Sequence, residues 1–345
     1  METNFDITPE KRASFLSFFK RQLFRQTAVL TRDEVNLAGQ TVIVTGSNTG
    51  IGFECSCQLM DLGVSRLILA VRSTSKGEAA RNILLSKRVA DEQIVEVWQL
   101  DLSSYDSITK FAQRLKPLKC LDIFVHNAGL NKRSFQLNNE TGHEECMQTN
   151  YLSLALLTIL VLPIMQEKRS LKGPGRILLV SSETAAWAPF KERESAPLLA
   201  AFDKADNFDG TQRYWNSKLL GQLFLSELAK RIPSSVAVVN APNPGLCYGS
   251  SLTSEWNGSV LGYIYNAAVR AIGRSTSVGA QALTDAAVRH GTESHGHYIE
   301  DGKLQPMAPL VYTEEGSRIA KRLWNETMES LAFAQVAEIV QHLSH

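Results

Sequence analysis

Unbroken apolar runs alternate with stretches of helical periodicity from residue 40 to about 245, and this alternation constrains the fold more than any other property of the chain. The runs at 41–45, 67–71, 94–100, 121–126, 176–181 and 236–240 are short and rich in Val, Ile and Leu, so they are predicted strands. Helices are predicted between them at 53–62, 76–87, 107–115, 143–166 and 211–231, with Pro163 near the end of the fourth. A strand that is apolar on both faces needs cover on both faces, which means a parallel sheet between helical layers. Crossovers in such sheets are right-handed, so the expected class is α/β with a doubly wound parallel sheet.

The 345 residues allow two domains by length. The rhythm runs without a linker, however, and a single domain at 38–305 is expected. A helical extension at 1–37 precedes it, and a helical tail at 306–345 follows. Two stretches break the rhythm and read as substrate-loop insertions: 183–213, a long polar connection with no clear strand, and 246–296, helices and loops inserted before a last short strand at 297–300.

Composition serves mainly to exclude. The hydrophobic share of 44% permits a sizeable core, and a net charge of +1 from 36 basic and 35 acidic residues gives no reason to expect nucleic acid as a partner. Cys55, Cys57, Cys120, Cys146 and Cys247 are scattered without a C-x-x-C pair, so neither a disulfide framework nor a zinc site is expected, and a reducing compartment fits. The seven histidines form no H-x-x-x-H or H-E-x-x-H pattern, and no metal is expected. There is no uninterrupted apolar run of about 18 residues, so no transmembrane helix is expected. Glu2 and Asp6 argue against a signal peptide, and the expected location is cytoplasmic. Phe15, Leu16, Phe18, Phe19, Leu23 and Phe24 sit among Lys11, Arg12, Lys20, Arg21 and Arg25. This stretch either packs an aromatic face on the domain, the preferred reading, or touches a membrane peripherally through residues 11–25.

The first strand leads into Thr45-Gly46-Ser47-Asn48-Thr49-Gly50-Ile51-Gly52, followed at once by a helix. Glycine lets the backbone approach phosphates, and unpaired helix N–H groups supply donors and a positive dipole end, so a pyrophosphate can dock here. The second strand ends in Arg72, about 20 residues past the turn, where a carboxylate would select NAD and an arginine pairs a 2′-phosphate. With Lys76 nearby and no Asp or Glu at 70–75, the ligand reads as NADP(H). Asp101-Leu102 and Asn127-Ala128-Gly129 close the third and fourth strands, where an open α/β sheet binds ligands.

Tyr214 and Lys218 lie four residues apart and hence on one helix face. A tyrosine hydroxyl has an ordinary pKa of about 10, and a neighbouring ammonium favours its ionised form, which suits a general acid/base. Ser181 and Ser182 end the fifth strand and can hydrogen-bond a carbonyl or alkoxide, and Asn150 can hold a water for proton relay.

In this order and at these positions, the motifs resemble the short-chain dehydrogenase/reductase family across roughly residues 38–250, which implies a Rossmann-type fold. Arg72, Lys76-Gly77 and Tyr214 through Leu219 are similar to its retinol-dehydrogenase-like and protochlorophyllide-reductase-like branches. The basic, aromatic N-terminus and extended C-terminus are similar to fungal secondary-metabolism reductases. The resemblance implies that Tyr214 exchanges the proton while hydride passes between nicotinamide C4 and the substrate. Lys218 would lower the Tyr214 pKa and bind the nicotinamide ribose, Ser182 would polarise the substrate oxygen (Ser181 as fallback), and Asn150 would complete the relay. Pro244-Gly245 would lie over the nicotinamide. Three features depart from the family: His126 in place of a common asparagine, no clear counterpart of the usual threonine in Leu246-Cys247-Tyr248-Gly249-Ser250-Ser251, and the long stretch 183–213, which would shape the substrate entrance.

The main reading is an NADPH-dependent oxidoreductase acting on a carbonyl or alcohol. The alternatives are a non-catalytic NADP(H)-binding regulatory protein and an enzyme that reduces C=C on the same scaffold. Leu252, Trp256, Val260, Leu261, Tyr263, Ile264 and Tyr265, with Trp187 and Phe190, would line an apolar pocket for a lipophilic polyketide, terpenoid or steroid/retinoid-like substrate. Oligomeric state is not readable from the residues.

Overall fold

A computed structural model describes residues 5–86, 93–169, 173–206, 208–250, 252 and 267–344. Its main sheet contains β1 (Thr41–Thr45), β2 (Arg66–Val71), β3 (Ile94–Gln99), β4 (Ile123–His126), β5 (Gly175–Leu179), β6 (Ala237–Asn243), β9 (Tyr298–Glu300) and β10 (Lys303–Gln305). A separate two-stranded ribbon pairs β7 (Cys247–Tyr248) with β8 (Arg274–Ser275). The main order is β10-β9-β6-β5-β4-β1-β2-β3, parallel throughout except for the β9–β10 hairpin. β1 and β4 are buried at every residue, as their continuous apolar sequences require. The winding reverses between β1 and β4, and that switch point places a ligand crevice beyond Thr45 and His126.

The helices are α1 (Pro9–Ala13), α2 (Phe15–Phe24), α3 (Gly50–Asp61), α4 (Thr74–Ser86), α5 (Tyr105–Leu115), α6 (Ser153–Glu167), α7 (Gly210–Leu228), α8 (Thr276–Val288), α9 (Glu314–Ser330) and α10 (Val336–Leu343). One core gathers side chains of α5, α6, α7, α9 and α10 on one face of the sheet; the other gathers those of α3 and α8 on the opposite face. The doubly wound α/β architecture expected from the strand–helix rhythm is therefore present.

Three local expectations need correction. The helix expected across 143–166 is interrupted: a single turn Glu145–Met147 passes through a π-turn, Gln148–Leu152, before α6 begins. Read as one segment, Glu145–Glu167 has the length and composition to cross a membrane, although no uninterrupted apolar run was visible. Of its apolar 18-residue window 89% is buried within the fold, which is the situation of a core helix. Second, within 246–296, expected as inserted helices and loops, α8 is the crossover helix between β6 and β9 and so belongs to the winding of the sheet itself. Its face is built of small residues such as Gly279, Ala280 and Ala286 that pack closely on α3, so it lacks the bulky stripe by which a core helix is recognised. Third, the chain continues past Glu300 through Asp301 and Gly302, both with positive φ (51° and 71°), to add β10 at the edge.

The N-terminal stretch packs through one face only. Arg12, Phe18 and Gln22 are buried, whereas Phe15, Leu16, Phe19, Leu23 and Phe24 are exposed. Trp256, Val260, Leu261, Tyr263, Ile264 and Tyr265, expected to line the substrate pocket, lie outside the described residues.

Candidate active site

The turn after β1 forms a cradle that only glycine permits. Gly46 and Gly50 have φ of +65° and +62°. A Cβ on Gly52 would fall 2.5 Å from Asn127 Nδ2 and 2.6 Å from the Gly46 carbonyl oxygen. Thr45 and Asn127 lock the turn to the end of β4: Thr45 Oγ1 accepts from the backbone N–H groups of Asn127 (3.0 Å) and Ala128 (2.9 Å), and Asn127 Nδ2 donates to the Thr45 carbonyl (2.9 Å). The Thr49 side chain caps no N–H of α3, so the first turn beginning at Gly50, Ile51 and Gly52 keeps donors for an anion. Ser47 is fully buried with no partner for its Oγ among the described residues, and Asn48 is half-buried.

Arg72 is exposed just beyond β2, and Lys76 is exposed in the first turn of α4. α4 lies close against the sheet because Gly77 has no Cβ, which would sit 2.6 Å from Val97 Cγ1. One Asp101 carboxylate oxygen is occupied by the Ser103 backbone N–H and hydroxyl (2.9 and 2.7 Å), and the Leu102 carbonyl accepts from Ser153. The residues present thus fit a phosphorylated dinucleotide, with glycines and helix donors for the pyrophosphate and a cation pair placed beyond β2.

Tyr214 and Lys218 both sit on α7. Asp209 caps that helix by accepting from Thr211 N and Gln212 N (2.8 and 3.1 Å). Lys218 Nζ donates to the Val180 carbonyl (2.8 Å) and lies 5.7 Å from the centre of the Tyr214 ring. Burial pushes its ammonium down from the ordinary 10.5 to about 8. His126 is also buried, and burial followed by the charge on Lys218 pushes its imidazole down to about 3, so it stays neutral and leaves Lys218 the local cation.

Asn150 stands in the π-turn, and its side chain is fully engaged. Its Oδ1 accepts from Leu130 N (2.9 Å), while Nδ2 donates to the Leu130 carbonyl (2.8 Å) and to Ser217 Oγ (3.0 Å). Ser217 Oγ in turn donates to the Tyr214 carbonyl (2.7 Å). The side chain therefore braces the loop after β4 against the helix carrying Tyr214. A Cβ on Gly129 would lie 3.2 Å from Asn150 Oδ1, so the loop after β4 packs closely on that side chain. A small cavity adjoins Lys218, walled by Asn150, Val180, Ser181 and Ser217.

The serine pair divides in function. Ser181 is buried and accepts from Gln222 Nε2 (3.1 Å). Ser182 is half-buried and its Oγ accepts from Thr184 N (3.3 Å) and Thr184 Oγ1 (3.0 Å), which leaves its own hydrogen to donate. The 3₁₀ turn Glu183–Trp187 after Ser182 packs on α7. Trp187 is half-buried, in keeping with a wall position. Phe190 is not a pocket residue: it is 1% exposed, adopts a left-handed φ of 42°, and stacks on Phe202 at 6.2 Å.

A buried polar cluster behind the site carried no motif. Asn243 Nδ2 donates to Glu183 Oε2 and Glu300 Oε1 (2.7 Å each), and Asn243 Oδ1 accepts from Gly245 N (3.0 Å). Arg12 and Arg21 reach Glu300 Oε2 at 3.4 and 2.9 Å. Burial, then the nearby Glu300, raises the Glu183 carboxyl above its usual range. Gly245, after Pro244, has φ +76°, and a Cβ there would lie 2.9 Å from Gln22 Oε1 of α2. The N-terminal helix therefore abuts the turn expected to lie over the nicotinamide. Its only signal in the sequence was the unusual presence of Arg12 and Gln22 within an amphipathic stretch.

The other clusters have local structural roles. His290 bonds Asp285, His295 faces the Ile232 carbonyl and Val239 N, and no three metal-ligating side chains gather among the described residues.

Comparison with known proteins places this geometry. The profile of the short chain dehydrogenase family matches residues 40–192, ending before Tyr214. The chain is 47% identical to the short-chain dehydrogenase fogG of Aspergillus ruber over 348 residues, covering 100% of both proteins. It is 39% identical to the short chain dehydrogenase/reductase mfmJ of Annulohypoxylon moriforme, covering 99% of each. Among solved structures, an uncharacterized protein of Mycobacterium Paratuberculosis superposes with a TM-score of 0.64 at 23% identity, over 88% of this chain and 98% of that one. A short chain dehydrogenase of Escherichia coli CFT073 complexed with NADPH superposes with a TM-score of 0.58 at 18% identity, over 80% and 100%. These two share the fold.

Proposed function

Because this chain belongs to the short-chain dehydrogenase family, and is thereby an oxidoreductase of small molecules, we propose that it is NADPH-dependent and interconverts a carbonyl and an alcohol on a lipophilic substrate. The observation that carries this reading is the Lys218 ammonium, fixed by the Val180 carbonyl and set beside the Tyr214 ring on one face of α7. The cofactor, when bound, supplies the hydride. The Gly46–Gly52 cradle and the α3 N-terminus would hold its pyrophosphate, and Arg72 with Lys76 its 2′-phosphate. Ser182 donates a hydrogen bond to the substrate oxygen, and Tyr214 delivers a proton to that oxygen in the direction of reduction. The Lys218 cation stabilises the phenolate left behind. Asn150 and Ser217 hold α7 in register with the loop after β4.

Polyketide-, terpenoid- or steroid-like ketones are the substrate class we propose, because the wall beside Tyr214 is aromatic: Trp215 meets Trp187 with ring centres 6.0 Å apart. Tyr214→Phe should lower kcat by roughly 10²–10⁴-fold while NADPH binding, followed by fluorescence, stays intact. Turnover at the wild-type rate would refute the assignment. Loss of nothing but a regulatory interaction would favour the non-catalytic alternative, and product analysis separates C=O from C=C reduction.

A further inference from the structure

We propose that helix α2 docks this protein on an anionic lipid surface. On α2, Phe15 is 62% exposed, Leu16 82%, Phe19 40%, Leu23 50% and Phe24 79%. The buried side of the same helix is Phe18 and Gln22. Phe15, Phe19 and Leu23 recur every fourth residue and form one row; Leu16 and Phe24 widen it. Large side chains held in water over a continuous face mark a surface that another phase or molecule covers.

The charge pattern identifies the cover. From Lys11 to Arg32 the sequence contains Lys11, Arg12, Lys20, Arg21, Arg25 and Arg32 and not one Asp or Glu. Glu300 takes Arg12 and Arg21. Lys11, Lys20 and Arg25 remain exposed, with no ion pair among the described residues. Apolar burial plus attraction of basic side chains to anionic headgroups is how an interfacial helix binds. Lys20 falls inside the apolar arc, where its long stem can lie along lipid while the ammonium reaches the headgroups. A second copy of this chain is a poorer occupant. In a two-fold interface the same patch faces itself, so Lys20 and Arg25 would meet their own counterparts with no acid on the helix to pair them.

The helix needs no rearrangement to dock. Gln22 Nε2 donates to the carbonyls of Leu246 (2.9 Å) and Ile272 (3.2 Å), and Arg274 donates to the carbonyls of Arg21 and Arg25 (3.0 and 2.7 Å). Trp187 Nε1 donates to the Ala13 carbonyl at the start of the arm (2.7 Å). The exposed row is therefore a fixed face of the folded molecule. It also leads toward the chemistry: Phe15 stacks on Trp187 at 4.8 Å, and Trp187 meets Trp215, the neighbour of Tyr214. Resting on the reading of Tyr214 as the proton donor, a docked molecule would draw a lipophilic substrate from the bilayer.

The test uses the full chain and vesicle co-sedimentation without substrate or cofactor, so its outcome does not depend on the catalytic reading. Vesicles of phosphatidylcholine alone are compared with vesicles containing phosphatidylserine. The wild type should pellet with the anionic vesicles, and less so as salt rises. Leu16→Ser/Leu23→Ser/Phe24→Ser should weaken binding by roughly a hundredfold. Lys20→Glu/Arg25→Glu should lose the preference for phosphatidylserine. Both variants should keep the wild-type melting temperature and turnover of a water-soluble ketone, because the replaced side chains belong to the exposed class. Wild-type protein that stays in the supernatant with every vesicle overturns the proposal, as does equal binding by the triple variant. A wild-type dimer that the triple variant dissociates, with no vesicle binding, assigns the face to a second copy instead.

Discussion

Lys218 is the residue whose electrostatics decide most about the site. Burial favours its neutral form, so the ammonium is present below about 8 and lost above it. Reductive kcat/KM should therefore fall as pH climbs through that value, and a profile flat across it would exclude the ammonium as the support for Tyr214. Arg72→Ala should raise the KM for NADPH roughly tenfold or more, while the KM for NADH barely changes. Steady-state kinetics with both cofactors checks this, and an equal loss for both removes the 2′-phosphate argument. Asn243→Ala leaves Glu183 and Glu300 facing each other without the amide that now serves both. The expected cost is about 1–3 kcal/mol of stability, measured by denaturant unfolding. At this scale the motif residues were legible because their chemistry needs fixed local spacing: glycines at a strand-to-helix turn, and a phenol and an amine on one helix face. Ser217, Gln222, Asn243 and Glu300 were not legible. Their partners are distant in the chain, and an Asn or Glu inside a strand announces nothing until the fold places another polar group against it.

Among the elements, α7 starts under a tight steric constraint. A Cβ on Gly210 would lie 1.9 Å from the Lys132 carbonyl oxygen, so the first turn of the catalytic helix rests directly on the backbone of the loop after β4. Gly210→Ala should push that turn outward, costing about 1–3 kcal/mol or more in thermal unfolding. It should also lower kcat, since Tyr214 lies one turn further on. The strands at the centre of the sheet were legible as unbroken apolar runs, and their ends fell within a few residues of the expected positions. The π-turn at Gln148–Leu152 was not, because its residues keep helical periodicity on either side and the extra residue per turn leaves no compositional mark. α8 falls where inserted helices and loops were expected, but its place as a core crossover was not legible, because close packing replaced its bulky apolar stripe with alanine and glycine.

In the whole molecule, segments far apart in the chain grip one stretch from two sides. The stretch 183–213, expected to shape the substrate entrance, is gripped from one side by the arm carrying α1 and α2 through Trp187. From the other side α9 grips it: Glu326 accepts from Leu198 N and Leu199 N (2.9 and 2.8 Å), and Arg193 pairs with Glu315 (3.0 Å). Glu326→Ala should cost about 2 kcal/mol of stability and raise the substrate KM more than it lowers kcat, a split that initial-rate measurements resolve. The buried contact of Arg12 with Glu300 also has a consequence in time. The ribosome delivers Arg12 288 residues ahead of its anchoring carboxylate. Until Glu300 has emerged, Arg12 and Arg21 lack the carboxylate that they share in the folded molecule. A nascent chain can thus assemble the first strands and the nucleotide cradle early, but it cannot seat α1 and α2 until Glu300 has been made.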